Sequence, residues 1–87
     1  MSYEKVKQAK EKIVGTKRVM KAIEKGQVLE VIIASDAESR VTSPILERCR
    51  EKNLTVTTVD SMKKLGRACG IEVGAAVVAL PITTARS

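Results

Sequence analysis

The feature that most constrains the fold is a set of three short strand-like runs that alternate with helical segments. The runs cover residues 29–34, 54–59 and 75–80, and they are rich in β-branched side chains. The first and third are nearly continuous in apolar residues, which is typical of strands covered on both faces. Because short connections join these strands to helical segments, the sequence predicts a three-layer α/β/α sandwich with a central mixed four-stranded sheet.

Four helical segments accompany the strands. Apolar residues recur at helical spacing in the first, at Tyr3, Val6, Ala9 and Ile13. Ile13 and Val14 also fit a short strand at the edge of the sheet. The other helices are expected over residues 16–25, 41–52 and 61–69. In the third, Ser43 precedes Pro44, which predicts a cap residue with proline at the first helical position.

A chain of 87 residues has room for one domain, and it hides roughly 60 to 65% of its unfolded surface. The sequence contains no internal repeat and no stretch with the composition of an interdomain linker. We therefore expect residues 1–80 to form a single α/β/α domain and residues 81–87 to form a flexible C-terminal tail.

Composition excludes several classes of protein. No apolar run approaches the roughly 20 residues that span a bilayer, and the first residues are charged where a secretory signal is apolar. We therefore expect a cytoplasmic protein without a membrane partner. The core must be aliphatic, because the chain has no Phe or Trp and Tyr3 is its one aromatic residue.

The reactive side chains do not predict an enzyme. Cys49 and Cys69 lie twenty positions apart in a chain without histidine, so neither a zinc site nor a Cys-His nucleophile can be assembled. The acids with the most suggestive positions have no spacing typical of a catalytic pair; these are Asp36, Glu38, Asp60 and Glu72. We expect no catalytic residue, no metal and no cofactor.

The net charge of +6 is unevenly distributed. Residues 1–26 hold eight basic and three acidic side chains, residues 27–60 hold four and six, and residues 61–87 hold four and one. Two basic segments thus flank an acidic middle. If both ends fold onto one side, the molecule presents a positive face to an anionic partner, although Lys-rich helices also serve solubility alone.

The second helix concentrates part of this charge. At about 100° per residue, Val19, Ala22 and Ile23 cluster on one side, and the basic residues occupy about a third of the opposite circumference. The basic residues are Lys17, Arg18, Lys21 and Lys25. Gly15 and Thr16 stand before them, so free backbone amides and the helix dipole favour phosphate at the same place. The alternative is an ordinary solvated amphipathic helix.

A second notable segment covers residues 65–76. Its glycines, Gly66, Gly70 and Gly74, match neither a dinucleotide-binding loop nor a phosphate loop, so nucleotide cofactors are disfavoured. The segment predicts a helix end followed by a loop of little side-chain bulk at Gly74, Ala75 and Ala76, whose backbone another surface can approach closely. Alternatively, these glycines serve only the turn and tight packing.

Residues 15–22, 31–37 and 65–76 together resemble the kink-turn-binding ribosomal proteins of the L seven Ae and L thirty e type. The resemblance extends over residues 3–80 and is nearest to the small bacterial homologues of the YbxF type. Members of this family bind a sharply bent RNA helix that contains sheared G·A pairs and a looped-out nucleotide. The resemblance therefore implies an RNA-binding, ribosome-associated protein whose partner is structured RNA, and we expect a monomer.

The resemblance also implies which residues contact RNA. Those expected at the paired guanines and nearby phosphates are Gly15, Thr16, Lys17, Arg18 and Lys21. Those expected to cover the extruded nucleotide are Ile71, Glu72, Val73, Gly74, Ala75 and Ala76. Many relatives carry Asn-Glu where this chain has Lys17-Arg18, so here cationic groups would contact guanine acceptors or phosphate instead.

One rival interpretation uses the same fold for another purpose. The apolar loop over residues 71–76 would then dock a protein partner, and the chain would be a protein-interaction adaptor.

Overall fold

The computed structural model describes residues 2–82, with side chains from Tyr3 onward. Helices and strands follow in the order α1 (Ser2–Gln8), β1 (Ile13–Val14), α2 (Thr16–Glu24), β2 (Val28–Ala34), α3 (Ser39–Glu51), β3 (Thr55–Val59), α4 (Met62–Ala68) and β4 (Val77–Pro81). The three predicted strands are present within one or two residues of their expected bounds. Ile13 and Val14 form the short edge strand and not the end of the first helix.

The four strands form one mixed sheet in the order β1-β4-β2-β3. Strand β2 runs parallel to β3 and antiparallel to β4, and β4 runs antiparallel to β1. The ends of β1, β2 and β3 and the start of β4 consequently meet at one edge of the sheet. We call it the upper edge; it holds residues 14–16, 34–36, 60–62 and 75–77.

Two helices cover each face of this sheet. Helices α1 and α4 pack on one face around Ile32, Leu65 and Val78, and helices α2 and α3 pack on the other around Ile23, Val31 and Ile45. All six side chains are fully buried. The predicted α/β/α sandwich with a mixed four-stranded sheet is therefore confirmed, and its core is aliphatic as the composition requires.

One buried acid lies within the sheet. Glu30 on β2 has 6% of its surface exposed, and both of its carboxylate oxygens lie 3.1 Å from Nζ of Lys5 on α1. The hydroxyl of Thr57 on β3 donates to the same carboxylate at 2.5 Å. A buried carboxylate is costly unless it is paired, so these contacts tie α1 to two strands of the sheet.

The predicted start of the third helix was wrong. Helix α3 begins at Ser39 with Glu38 as its N-cap residue, so Ser43 is not the cap and Pro44 lies inside the helix. Pro44 is exposed, and the carbonyl group that lacks its usual amide donor can be solvated, which lowers the cost of an internal proline. Asn53, two residues after this helix, adopts the left-handed conformation with a φ of 57°, which asparagine tolerates.

The predicted tail began too early. Pro81 is the last residue of β4 and is buried, and the amide of Ile82 donates to the carbonyl of Gln27 at 2.9 Å. Residues 83–87 of the expected tail lie outside the described residues. Among residues 2–82, no helix combines the length and the apolar character needed to cross a membrane.

Candidate nucleic-acid interface

The start of α2 is built around Gly15. Its φ of 108° lies in the left-handed region that favours glycine, and its carbonyl accepts from the amide of Val19 at 2.9 Å. As the N-cap residue it makes no side-chain hydrogen bond to the first turn. The amide groups in the first turn of α2 therefore receive no side-chain cap from residue 15. They lie at the upper edge, where the helix dipole favours an anion.

Three cationic side chains surround this helix start. Lys17, Arg18 and Lys21 are exposed, whereas Val19, Ala22 and Ile23 on the other side of α2 are buried. Within residues 3–82, the three cations form no ion pair, so their charge is not neutralised locally. This division confirms the predicted amphipathic character of the second helix.

The loop over residues 71–76 is held by its backbone. Ile71 donates to the carbonyl of Gly66 at 3.1 Å, and Ala75 donates to the carbonyl of Met62 at 3.0 Å. The carbonyl of Ala76 in turn accepts from the amide of Ala34 at 3.0 Å. The loop thus runs back along α4 and joins the upper edge beside the end of β2.

The helix start and the loop meet at this edge. The amide of Gly15 donates to the carbonyl of Val77, the residue that directly follows the loop, at 3.2 Å. Pairing of Val14 with Val78 extends the same contact into the sheet. The structure therefore brings the start of α2 and the end of the loop to the same edge of the sheet.

The loop residues differ in what they expose. Val73 is 70% exposed and Ile71 is 36% exposed, which is unusual for large apolar side chains. Glu72 and Gly74 are also exposed, whereas Ala75 is buried and Ala76 is half-buried. An incoming ligand would meet the side chains of residues 71–73 and the bare backbone at Gly74. The side chain of Ala75 contributes to the core instead.

Two residues that were not among the predicted site residues, Asp36 and Gly66, help to position this surface. A carboxylate oxygen of Asp36, just after β2, accepts from the amide of Met62 at 2.9 Å, and Met62 is the residue whose carbonyl holds Ala75. Gly66 on α4 is buried against the loop. The available signals were a polar residue at the carboxyl end of a parallel strand and a glycine inside a helix.

Helix α4 is fixed at its start by two further contacts. Ser61 caps it by accepting from the amide of Lys64 at 3.2 Å, as its sequence position predicts. The hydroxyl of Tyr3 donates to the Asp60 carboxylate at 2.5 Å and accepts from the amide of Ser61 at 3.1 Å. The hydrogen bond from Tyr3 is the main reason that the pKa of Asp60 is lowered from its ordinary value.

Neither cysteine has the environment of a nucleophile. Cys49 is buried on the core-facing side of α3, and Cys69 is half-buried at the end of α4. Burial raises the pKa of both thiols, so the thiolate form is disfavoured at neutral pH.

Comparison with known proteins assigns the chain to a family. Residues 2–86 match the Ribosomal protein L7Ae/L30e/S12e/Gadd45 family. The chain belongs to this family. The match spans both the α2 start and the loop over residues 71–76, and it confirms the resemblance found in the sequence.

Two bacterial relatives are similar over nearly their whole length. The chain is 56% identical over 80 residues to RNA-binding protein BH0128 of Halalkalibacterium halodurans, covering 92% of this chain and 98% of the relative. It is 50% identical, with the same coverage, to RNA-binding protein YbxF of Geobacillus stearothermophilus. Both relatives carry the description of RNA-binding proteins.

A solved structure agrees with the fold. The 15.5kD RNA binding protein of Giardia lamblia superimposes with a TM-score of 0.83 at 27% identity, covering 92% of this chain and 70% of that one. A Bacillus halodurans protein of unknown function superimposes with a TM-score of 0.81 at 28% identity, covering 97% and 85% of the two chains.

Proposed function

We propose that this protein binds kink-turned RNA through the upper edge of its sheet and catalyses no reaction. The observation that carries the proposal is the 3.2 Å hydrogen bond between Gly15 and Val77, because it joins the cationic helix start to the low-bulk loop. In this arrangement Lys17, Arg18 and Lys21 contact phosphates or guanine acceptor atoms of the G·A pairs. Residues 71–76 cover the looped-out nucleotide.

The side chains available favour recognition of shape over stacking on single strands. Proteins that bind single strands commonly stack bases on aromatic residues, and Tyr3 is the one aromatic residue of this chain. Its hydroxyl is engaged with Asp60 and Ser61, and its ring packs against the core between α1 and α4. A bent, base-paired RNA whose backbone presents phosphates to the helix start is the better fit.

Binding of this kind would stabilise the bent form of the RNA. A kink-turn that exchanges between open and bent conformations shifts toward the bent one in proportion to the protein's preference for it. We propose that the protein is a cytoplasmic monomer and that its RNA is ribosomal or regulatory. The description of its bacterial relatives as RNA-binding proteins supports an RNA partner.

Titration of a labelled kink-turn RNA at several salt concentrations tests the proposal. The matched control is the same RNA with its G·A pairs replaced by Watson–Crick pairs. We expect clear preference for the kink-turn and a log-log salt slope near −3 to −5, as about four to six neutralised phosphates would give. Equal affinity for the two RNAs would reject shape-specific recognition and leave a generic basic binder.

One observation favours a second candidate function. The large exposed fraction of Val73 and the exposure of Ile71 give the loop an apolar surface that a protein partner could cover. A protein-interaction adaptor would retain its partner through this loop after nuclease treatment, whereas an RNA-binding protein would lose RNA-bridged partners.

A further inference from the structure

The basic side chains of α2 extend well beyond the proposed kink-turn site. Lys17 and Arg18 lie in its first turn, Lys21 lies one turn further, and Lys25 is the C-cap residue at the opposite end. All four are exposed, and within residues 3–82 none of them forms an ion pair. At 1.5 Å per residue, this helix carries positive charge over about 14 Å.

The orientation of α2 turns part of this charge toward the β1 edge of the sheet. Glu24 bridges to Arg48 on α3 at 3.5 Å, which identifies the flank of α2 that faces α3. At 100° per residue, Arg18 and Lys25 lie about 100 to 120° away from Glu24. Because α2 packs over β1 and β4, this second flank faces the side of the molecule where β1 ends the sheet.

An open cleft continues the surface at the far end of α2. Its volume is about 660 Å³, and its lining includes Gly26 and Gln27 after α2 together with Lys10 and Lys12 before β1. Glu11 contributes an acidic group, and Ile13, Pro81 and Ile82 contribute apolar ones. The cleft thus places Lys10, an exposed cation, near Gly26, the residue that follows Lys25.

The cations on the neighbouring helix are used differently. On α3, Arg40 pairs with Glu38 at 3.3 Å, and Arg48 pairs with both Glu24 and Glu51. Acidic partners therefore neutralise Arg40 and Arg48, whereas Arg18, Lys21 and Lys25 on α2 form no ion pair with any residue in the range 3–82. The second flank of α2 therefore carries more unneutralised positive charge than the paired part of α3.

We propose that this surface, the lateral track, holds the sugar–phosphate backbone of one helical arm of the kinked RNA. The lateral track consists of Arg18, Lys21, Lys25 and Lys10. The inference rests on the proposed function and extends it from the bend to an arm. The α2 part of the track, from Arg18 to Lys25, is about 12 Å long, which corresponds to about four base pairs, and cations at successive helical turns can follow a phosphate backbone.

Charge complementarity favours RNA over a protein partner here. The track presents a row of cations. Of the strongly exposed large apolar side chains in the described part of the chain, Ile82 is the one that lines the adjoining cleft. Such a surface gains affinity by releasing counterions from phosphates and carries no sequence information. Binding of the arm would therefore depend on its position and its length, and would not depend on its base sequence.

The test compares two double variants that remove equal charge. Lys10→Gln/Lys25→Gln alters the lateral track and leaves the proposed kink-turn site intact. Arg50→Gln/Lys52→Gln alters exposed cations at the end of α3, beside β3, where the sheet ends on its other side. Both are titrated against a kink-turn RNA with two arms of about twelve base pairs, and against RNAs with either arm closed by a hairpin loop after about three.

With two long arms, we expect the track variant to bind about ten-fold more weakly, with a salt slope shallower by about two. The loss should vanish when one particular arm is shortened, and the α3 variant should bind like the unaltered protein. Equal losses for long and short arms, or equal losses for the two variants, would overturn the lateral track. If the unaltered protein does not prefer the kink-turn over the control RNA, the proposed function fails and the track fails with it.

Discussion

Gly66 on α4 lies against the backbone carbonyl of Val73 so closely that no side chain fits between them. A Cβ built at position 66 overlaps that carbonyl oxygen and lies 3.1 Å from Cα of Gly74. The helix and the loop therefore meet backbone to backbone, a contact that only glycine permits. This contact fixes how closely the loop over residues 71–76 packs against α4.

Gly66→Ala should move the loop. We expect a loss of stability of about 1 to 3 kcal/mol from overpacking. Affinity for a kink-turn RNA should also fall, because residues 71–76 would no longer fit the extruded nucleotide. Chemical denaturation and RNA titration measure the two effects separately.

An RNA whose looped-out nucleotide lacks its base serves as the control for Gly66→Ala. If the loop acts on that base, the variant and the unaltered protein should bind the abasic RNA with similar affinities. An undiminished difference on the abasic RNA would mean that Gly66 serves only the packing of α4.

Gly74→Leu tests the exposed part of the loop. A Cβ at position 74 would lie 3.3 Å from Cβ of Met62, so Met62 would have to move by a few tenths of an ångström. Because Gly74 is exposed, we expect the melting temperature to change by less than about 4–8 °C, the equivalent of about 1 kcal/mol. RNA binding should weaken clearly. A collapse of the fold would instead favour a packing role for this glycine.

Lys21→Ala tests the cationic helix start. Lys21 is exposed, lacks an ion pair among the described residues and lies six residues after Gly15 along α2. A close contact to guanine or phosphate would be lost, so binding should weaken by roughly 1 to 3 kcal/mol. Lys7→Ala on α1 removes the same charge and should have little effect. Similar small losses from both variants would indicate diffuse attraction.

The sequence predicted the strands well because their signal is local. Residues 29–34 and 75–80 are apolar almost throughout, and β2 and β4 are buried on both faces with one exception, the exposed Leu29. The position of Pro44 within α3 could not be predicted, because proline is favoured in the first turn of a helix and is costly further inside. The helix nevertheless begins five residues earlier, at Ser39.

The candidate site was predictable only in part. Glycines and cations within α2 and the loop are visible in the sequence, but the hydrogen bond from Gly15 to Val77 joins residues more than sixty positions apart. The roles of Asp36 and Gly66 likewise depend on partners that are distant in the chain. Local patterns do not encode such pairings, whereas a family resemblance implies them.

Tyr3→Phe tests whether the hydrogen bond from Tyr3 to Asp60, at the start of α4, makes the stability of the protein depend on pH in the acid range. Because the hydrogen bond from Tyr3 lowers the pKa of Asp60 in the folded protein, Asp60 contributes stability above its unfolded pKa of about 3.9. That contribution is lost as the pH falls through the lower, folded value. Tyr3→Phe should therefore flatten the dependence of stability on pH in the acid range.

Urea denaturation between about pH 3 and pH 7 measures this dependence. Asp60→Asn is the matched control and should give a similar flattening, since it removes the other partner of the hydrogen bond. Curves for Tyr3→Phe that parallel those of the unaltered protein would contradict the proposed role of this pair.

An amide chemical-shift map of the labelled protein, recorded during titration with a kink-turn RNA, tests whether the helix start and the loop bind RNA together. We expect the largest changes to fall on residues 15–21 and 71–76 in the same titration, and we expect the amides of β3 to stay nearly unchanged. Changes confined to α2, or centred on the β3 side of the sheet, would contradict the claim that helix start and loop bind RNA as one surface.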